Sequence, residues 1–290
     1  MISNFYKEIT IVIISFHSKN KVKNFISKLS NNFKIIVIEN SEDKILKSEI
    51  KKEHENVDIY LVKNKGYAGS INYARSFINT KYFFIFNPDV NKINDEKIKI
   101  FYDKARVLND NFGCLGPRYL NIDAKTLVQS DKDKEIGEMK AISGAAMFFN
   151  KKIFDLNEGF DGNFFLYFEE NDYCKRSKKN GYRTFQLNNC NVLHERGSSA
   201  IFENNLEKRK YEYFCTWHFI WSKFYFFKKH YGFFFTFIYF APILLRIIFR
   251  ISLYKVKNDK ENIKKYKIRL FGLINSVMGR KSFQRMHHFS

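Results

Sequence analysis

The chain has few cysteines, and none of them are paired for chemistry. Cys114, Cys174, Cys190 and Cys215 are separated by 60, 16 and 25 residues, so there is no C-x-x-C element for zinc binding or thiol exchange. They read as reduced thiols of an intracellular protein, and a chain of 290 residues buries enough surface to need no disulfide. No secretory leader is expected from the N-terminal segment. Met1–Ile14 holds Lys7 and Glu8 before a short apolar run, with no long apolar core and no small-residue cleavage site. No internal repeat and no long Pro, Gly or Ser linker divides the chain. The glycines of Asn64-Lys65-Gly66-Tyr67-Ala68-Gly69 fit neither a Walker A loop nor a dinucleotide fingerprint, so this segment reads as a tight turn into a helix.

Acidic residues become scarce towards the C-terminus. Residues 201–290 hold 18 Lys/Arg against 5 Asp/Glu, whereas residues 1–200 hold 32 against 25. Such an excess suits nucleic acid or anionic lipid. Here it accompanies a strongly apolar segment, and no basic stripe with a reading helix is recognisable. The expected partner is therefore an anionic membrane surface, with no nucleic acid.

What the chain does contain is an alternation. Apolar runs at 9–16, 34–39, 57–62 and 81–86 predict buried strands, with helices between them at 18–32, 42–55 and 69–79. Strand and helix in turn are the signature of an α/β protein with a parallel, doubly wound sheet. Further helices are expected at 95–109 and 169–180, and short strands near 113–115 and 146–150. Ligands of such sheets bind at the carboxyl ends of the strands, which singles out four loops: Ser15–Ser18, Glu39–Asp43, Asn64–Gly69 and Asn87–Val90.

Three motifs bring chemistry to this frame. Asn87-Pro88-Asp89-Val90 leaves a carboxylate at a strand tip, where it can bind a hard cation and bridge to phosphate, or simply cap a turn. Phe164 to Phe168 is an unbroken apolar run followed by Glu169, Glu170 and Asp172. On a helix Glu169 and Asp172 share one face and Glu170 points elsewhere. A carboxylate behind apolar residues is placed for general-base work, because desolvation raises its pKa. An acidic first turn that stabilises the helix end is the plainer reading. His194, after an apolar segment and before a glycine-containing loop, is a candidate metal ligand or a structural histidine.

Taken in order, these pieces resemble glycosyltransferase family 2, and within it the bacterial rhamnosyltransferase-like enzymes. The matching segments are Ile11–Phe16, Glu39-Asn40-Ser41, Asn64–Asn72, Asn87–Val90, Gly144–Phe149, Phe160–Asp172 and Val192–Ser199, and the resemblance covers about residues 9–230. It implies a GT-A type, Rossmann-like, mostly parallel sheet flanked by helices. It also implies an inverting, single-displacement transfer from a nucleotide-diphosphate sugar, rhamnose being the sugar the branch suggests. On the same basis Asp89 and His194 are metal-site residues for Mg2+ or Mn2+, and Glu170 is the catalytic base. Glu39 is the acid that contacts the nucleobase and Phe16 flanks the base. Asn64, Gly66, Asn72, Asn87 and Gly144 fall in the matched segments and complete the donor-binding set. Glu39 and Glu170 each stand where the family more often has Asp. The longer side chain changes its reach, which keeps Asp172 as a rival base.

The stretch Tyr231–Leu245 is uncharged over 15 residues, short of the roughly 20 needed to span a bilayer. Pro242 is expected to kink it. Arg246 and Arg250 share a face, and lysines lie on both flanks. This suits a helix lying in or re-entering an anionic leaflet; packing on the catalytic domain or on a second subunit, and true spanning, are the alternatives. The expected organisation is a catalytic domain over 1–205, an aromatic and basic membrane-associating helical region over 206–255, and a basic tail over 256–290. The enzyme would then act at the cytoplasmic face of the cell membrane, peripheral or monotopic, on a polysaccharide or lipid-linked glycan acceptor. A catalytically silent nucleotide-sugar-binding scaffold is the competing reading.

Overall fold

The computed structural model describes residues 5–123, 126–195, 197, 200–202 and 204–289. The described chain forms two compact units, one of residues 1–161 and 170–201, the other of 162–169 and 202–290.

The first unit opens with a short helix α1 (Phe5–Glu8) and strand β1 (Ile9–Ser15), every residue of which is buried. Helix α2 (Lys19–Ile26), strand β2 (Lys34–Glu39), helix α3 (Lys44–Glu53), strand β3 (Val57–Leu61), helix α4 (Gly66–Ala74) and strand β4 (Tyr82–Phe86) follow. β1, β2 and β4 become strands covered on both faces, as continuous β-branched and aromatic sequences require, whereas β3 at the sheet edge leaves Asp58 exposed. β3, β2, β1 and β4 lie side by side and parallel, so the chain changes direction across the sheet between β3 and β4. Pairing sets Ser15 beside Glu39, Glu39 beside Leu61, and Ile13 beside Phe86. The four expected loops therefore leave the sheet together, at its switch point.

After the bridge β5 (Val90–Asn91) come helix α5 (Asp95–Val107), strands β6 (Cys114–Tyr119), β7 (Ile136–Met139) and β8 (Ala146–Asn150), helices α6 (Lys151–Leu156) and α7 (Glu169–Lys179), and strand β9 (Thr184–His194). They extend the sheet in the order β4-β8-β6-β9-β5, with β7 added on β9. β8 runs antiparallel to β4 and β6, whereas β6 and β9 are parallel. The result is the α/β architecture expected, a parallel half continued by a mixed half. β7 and most of β9 were not expected from the sequence, because β9 buries polar side chains, Gln186 and Asn188 among them.

The second unit contains helices α8 (Asn205–Tyr231), α9 (Phe233–Val256) and α10 (Lys260–Val277). Gly232, at φ +84°, breaks α8 from α9. Tyr213, Trp217, Ile220, Trp221 and Phe224 form the buried face of α8. At Gly272 of α10 a methyl group would meet the Trp217 carbonyl oxygen at 2.8 Å and the Ile220 side chain at 2.8 Å, so only glycine allows the two backbones this close. The segment 280–289 is strapped to α8: Trp221 donates to the Arg280 carbonyl, Ser282 bonds His218 Nδ1, and His218 Nε2 lies 3.1 Å from the Gln284 carbonyl. Burial pushes His218 down to about 3, which keeps the imidazole neutral. Phe165 lies in the same cluster, stacked on His218 at 4.9 Å with the Arg285 guanidinium 4.0 Å from its ring.

Helix α9 runs on through Pro242, which lies inside it. Among the described residues it is the one helix long and apolar enough to cross a membrane. Thr236, Phe240 and Ile247 are buried on one face, while Phe234 is 83% exposed and Ile238 and Leu245 are each 67% exposed on another. The tail expected over 256–290 contains α10, whose Leu273, Asn275 and Ser276 are buried.

All four thiols are free. Burial raises each of them, Cys174 to about 11 and Cys190 to about 12.

Gly272→Ala is expected to force α8 and α10 apart and destabilise the helical unit by about 1–3 kcal/mol, the cost of overpacking. Both tryptophans report from that contact. Urea unfolding followed by tryptophan fluorescence should show a lower midpoint, and an unchanged midpoint would contradict the close approach.

Candidate active site

The loops at the carboxyl ends of β1 and β2 are tied to each other. Glu39 is buried, and its carboxylate accepts from Ser41 N at 3.0 Å, Asp43 N at 2.7 Å and the Ser41 hydroxyl at 2.5 Å. Asn40 N donates to the Ser15 carbonyl, and Ser70 donates to Asn40 Oδ1 at 2.7 Å. Glu39 thus spends its charge on shaping its own loop. The half-buried ring of Phe16 and the Ser41 hydroxyl, which accepts from His17 N, border the same place. Asn64 turns the next loop by accepting from Gly66 N at 2.9 Å, and Gly66 holds φ +75° at the start of α4. One residue on, the Tyr67 hydroxyl donates to the Gly144 carbonyl and brings that segment to this edge of the sheet.

Asn87 and Asp89 follow β4. Asn87 N donates to the Ala145 carbonyl, and Val90 N closes a turn onto the Asn87 carbonyl. β5 then pairs antiparallel with the end of β9, Val90 opposite His194. Asp89 and His194 meet as a result, with His194 Nε2 at 3.3 Å from Asp89 Oδ1. Asn121 fixes the histidine backbone by bonding both His194 N and the His194 carbonyl. The Tyr119 ring lies 5.9 Å from the imidazole. Burial, and to a smaller degree the Asp89 charge, pushes the Tyr119 phenol up, so it remains a neutral donor. His194 Nδ1 is buried with no hydrogen-bond partner among the described residues. Neither Tyr119 nor Asn121 was legible, since each lies in a segment without a recognisable motif.

A divalent cation suits an oxygen and a nitrogen donor held this close, with His194 oriented from its backbone. Among the described residues no group of three or more His, Cys, Asp or Glu side chains is arranged to hold a metal ion by itself. A pair alone would supply only part of a coordination shell, the rest falling to other oxygen donors.

The two rival bases have different surroundings. Asp172 is fully buried and bonded to Arg176 at 2.8 Å. Arg176 also donates to the carbonyls of Asn157 and Gly159. Asp172 therefore belongs to a structural ion pair, which the i, i+4 spacing of the two residues could have revealed. Glu170 Oε2 has no hydrogen-bond partner among the described residues. Burial pushes its carboxyl up to about 7, only partly offset by the Glu170 and Asn171 amides. One turn on, Cys174 contacts the backbone of Ile142, close in sequence to Gly144. Asn72 acts as a brace, because its side chain bonds Phe160 N and the Phe160 carbonyl and so holds the segment that leads to the acidic motif. Arg196, Ser198 and Ser199 of the histidine motif lie outside the described residues.

No family model matches the sequence. The chain is 23% identical over 230 residues to the low-salt glycan biosynthesis hexosyltransferase Agl10 of Haloferax volcanii, a match covering 71% of this chain and 70% of that protein. Its structure is similar to that of the mannosyltransferase PcManGT from Pyrobaculum calidifontis in complex with GDP-Man and Mn2+. That likeness has 11% identity and a TM-score of 0.57, and covers 93% of this chain and 87% of the other. TarS 1–349 of S. aureus in complex with UDP-GlcNAc is similar at 12% identity and a TM-score of 0.52, with 94% and 92% covered. The relative supports sugar transfer as the activity. The solved structures identify the architecture as the GT-A glycosyltransferase fold.

The two carboxylates should respond oppositely to removal. Asp172→Ala strands Arg176 and should cost about 3–5 kcal/mol of stability. Glu170→Gln should be neutral or stabilising at pH 8. Its folded-state pKa is raised, so the ionised carboxylate costs stability above about 7. That cost disappears as pH falls towards the ordinary carboxylate range. Melting curves at pH 8 and pH 5 check both; a Glu170→Gln variant less stable at pH 8 would reverse the assignment.

Proposed function

We propose that the chain is an inverting glycosyltransferase that depends on a divalent metal and moves a hexose or 6-deoxyhexose, such as rhamnose, from a nucleotide-diphosphate donor to a glycan or lipid-linked glycan. The observation that carries this reading is the Asp89–His194 pair at the tip of β4, on the ligand-binding edge of the sheet. Support comes also from the relative that is a hexosyltransferase and from similar structures solved with GDP-Man and Mn2+ or with UDP-GlcNAc.

Phe16 and the Glu39 loop would border the nucleobase. Asn64, Gly66 and Asn87 would line the path of the ribose and diphosphate, and Gly144 would leave room for the sugar. When bound, Mg2+ or Mn2+ supplies positive charge against the departing diphosphate. Asp89 and His194 would hold it. Glu170 would accept the proton of the acceptor hydroxyl as that oxygen attacks the anomeric carbon opposite the leaving group. The carbon becomes oxocarbenium-like on the way. A base with its pKa raised to about 7 gains proton affinity while remaining largely ionised just above neutrality. The exposed apolar stripe of α9, with Lys255 in its last turn and Lys228 and Lys229 in the last turn of α8 before it, supports docking on an anionic cytoplasmic leaflet, in keeping with a membrane-borne acceptor.

Three measurements test this. A thermal-shift panel of GDP, UDP, dTDP and CMP, each with and without Mn2+, should single out one nucleotide whose stabilising effect needs the metal. Asp89→Ala should abolish that metal dependence and lower turnover about a hundredfold or more, since several kcal/mol of charge stabilisation are lost. In the wild type, turnover should fall about tenfold per pH unit below neutrality, as protonation removes the base. Metal-dependent nucleotide binding without transfer to any glycan would favour the silent scaffold.

A further inference from the structure

The helical unit has a cleft of about 320 Å³ at the end where α8 and α10 begin. Arg209 and Lys210 of α8 and Lys260 and Lys264 of α10 line it, over an aromatic floor of Tyr213 and Phe289. Both floor residues are buried, and Lys264 Nζ lies 5.3 Å from the Tyr213 ring centroid. Among the described residues Glu261 is the one acidic side chain lining the cleft, 3.6 Å from Arg209. Four cations to one anion around an apolar floor is an arrangement that a diffusely solvated basic surface does not need.

The cleft also lies where apolar surface gives way to charge along the chain. The exposed apolar residues of α9 run from Phe234 to Phe249, crossed by Arg246, and basic residues gather towards its end at Arg250, Lys255, Lys257 and Lys260. A phospholipid has the same order, with apolar chains and then a phosphate at the boundary. A planar guanidinium together with ammonium groups on flexible stems is the donor set that grips phosphate oxygens from several sides.

We propose that this cleft is a binding site for the phosphate of a lipid headgroup, taken from the leaflet on which α9 rests. It would convert general attraction to an anionic surface into the capture of one headgroup. The proposal rests on the membrane reading of α9 given above, and is independent of the assignment of Glu170 or Asp89.

The test uses the full chain and vesicles of phosphatidylcholine, with and without phosphatidic acid. Two triple variants remove equal charge: Lys210→Gln/Lys260→Gln/Lys264→Gln in the cleft, and Lys255→Gln/Lys265→Gln/Lys267→Gln on exposed positions outside it. Melting curves confirm that both fold. The cleft variant should lose affinity for phosphatidic acid vesicles by about tenfold more than the control, roughly the worth of one charge-assisted hydrogen bond. Equal losses would overturn the proposal in favour of diffuse electrostatics. Absence of vesicle binding by the wild type would overturn the membrane reading instead. Glycerol 3-phosphate and inorganic phosphate form the second arm: tight binding of either in solution, lost in the cleft variant, without vesicle binding, would assign the cleft to a free phosphate and remove the lipid.

Discussion

Asp89 and His194 meet because β5, only two residues long, pairs antiparallel with the last residues of β9. Much of the candidate site depends on that short bridge. It draws the loop after the parallel half of the sheet against the end of the mixed half. The Glu195 amide, donating to the Asp89 carbonyl, and the Asn121 side chain, bonded on both sides of His194, hold the joint. Neither side chain needs a rare backbone conformation to reach the other. The sheet supplies the geometry, and the side chains supply the chemistry.

The acidic motif is held differently. Tyr167 and Phe168, immediately before Glu169, both adopt positive φ, at +71° and +69°. Non-glycine residues in that region cost on the order of 1–3 kcal/mol each and persist only where surrounding contacts impose them. Within the helical unit, Ser222 donates to the Leu166 carbonyl, and the Phe165 ring contacts both His218 and Arg285. The chain passes from this clamped, strained segment straight into Glu170. After Glu170 the Asp172–Arg176 pair takes over, fastening α7 to the 157–159 turn. Of the two rival bases, the structure commits Asp172 to architecture and leaves Glu170 with a raised pKa and an unbonded oxygen among the described residues.

The parallel half of the fold was legible because β1, β2 and β4 are short runs dominated by Ile, Val and Phe that are buried on both faces, and β3 alternates as an edge strand does. The helices between were nearly right in extent. α2 ends early, at Ile26, and α4 gives way to a 3-10 turn over Arg75–Phe77. β9 was illegible for a physical reason. Its buried Gln186 and Asn188 are satisfied by Gln129, Ser130, Arg118 and the carbonyls of Asp131 and Lys134, partners more than fifty residues away that no local pattern announces. The candidate site follows the same rule. Asp89, Glu170 and His194 were readable as polar residues behind apolar strands or runs. Glu39 is absorbed into hydrogen bonds of its own loop, two and four residues on, whereas the bonds of Asn72 to Phe160 are tertiary contacts that no local pattern announces.

The thiols have a consequence of another kind. Cys114, Cys174 and Cys190 are buried, Cys215 is half-buried, and none has a depressed pKa. Nucleophilic attack needs the thiolate, so the folded chain is nearly silent towards alkylating reagents and becomes reactive as it opens. Cys114, Cys174 and Cys190 sit in the sheet unit and Cys215 in the helical unit. The rate at which each acquires a label is therefore a built-in clock for the opening of its own unit. Two parts of one chain can be timed separately without adding a single probe.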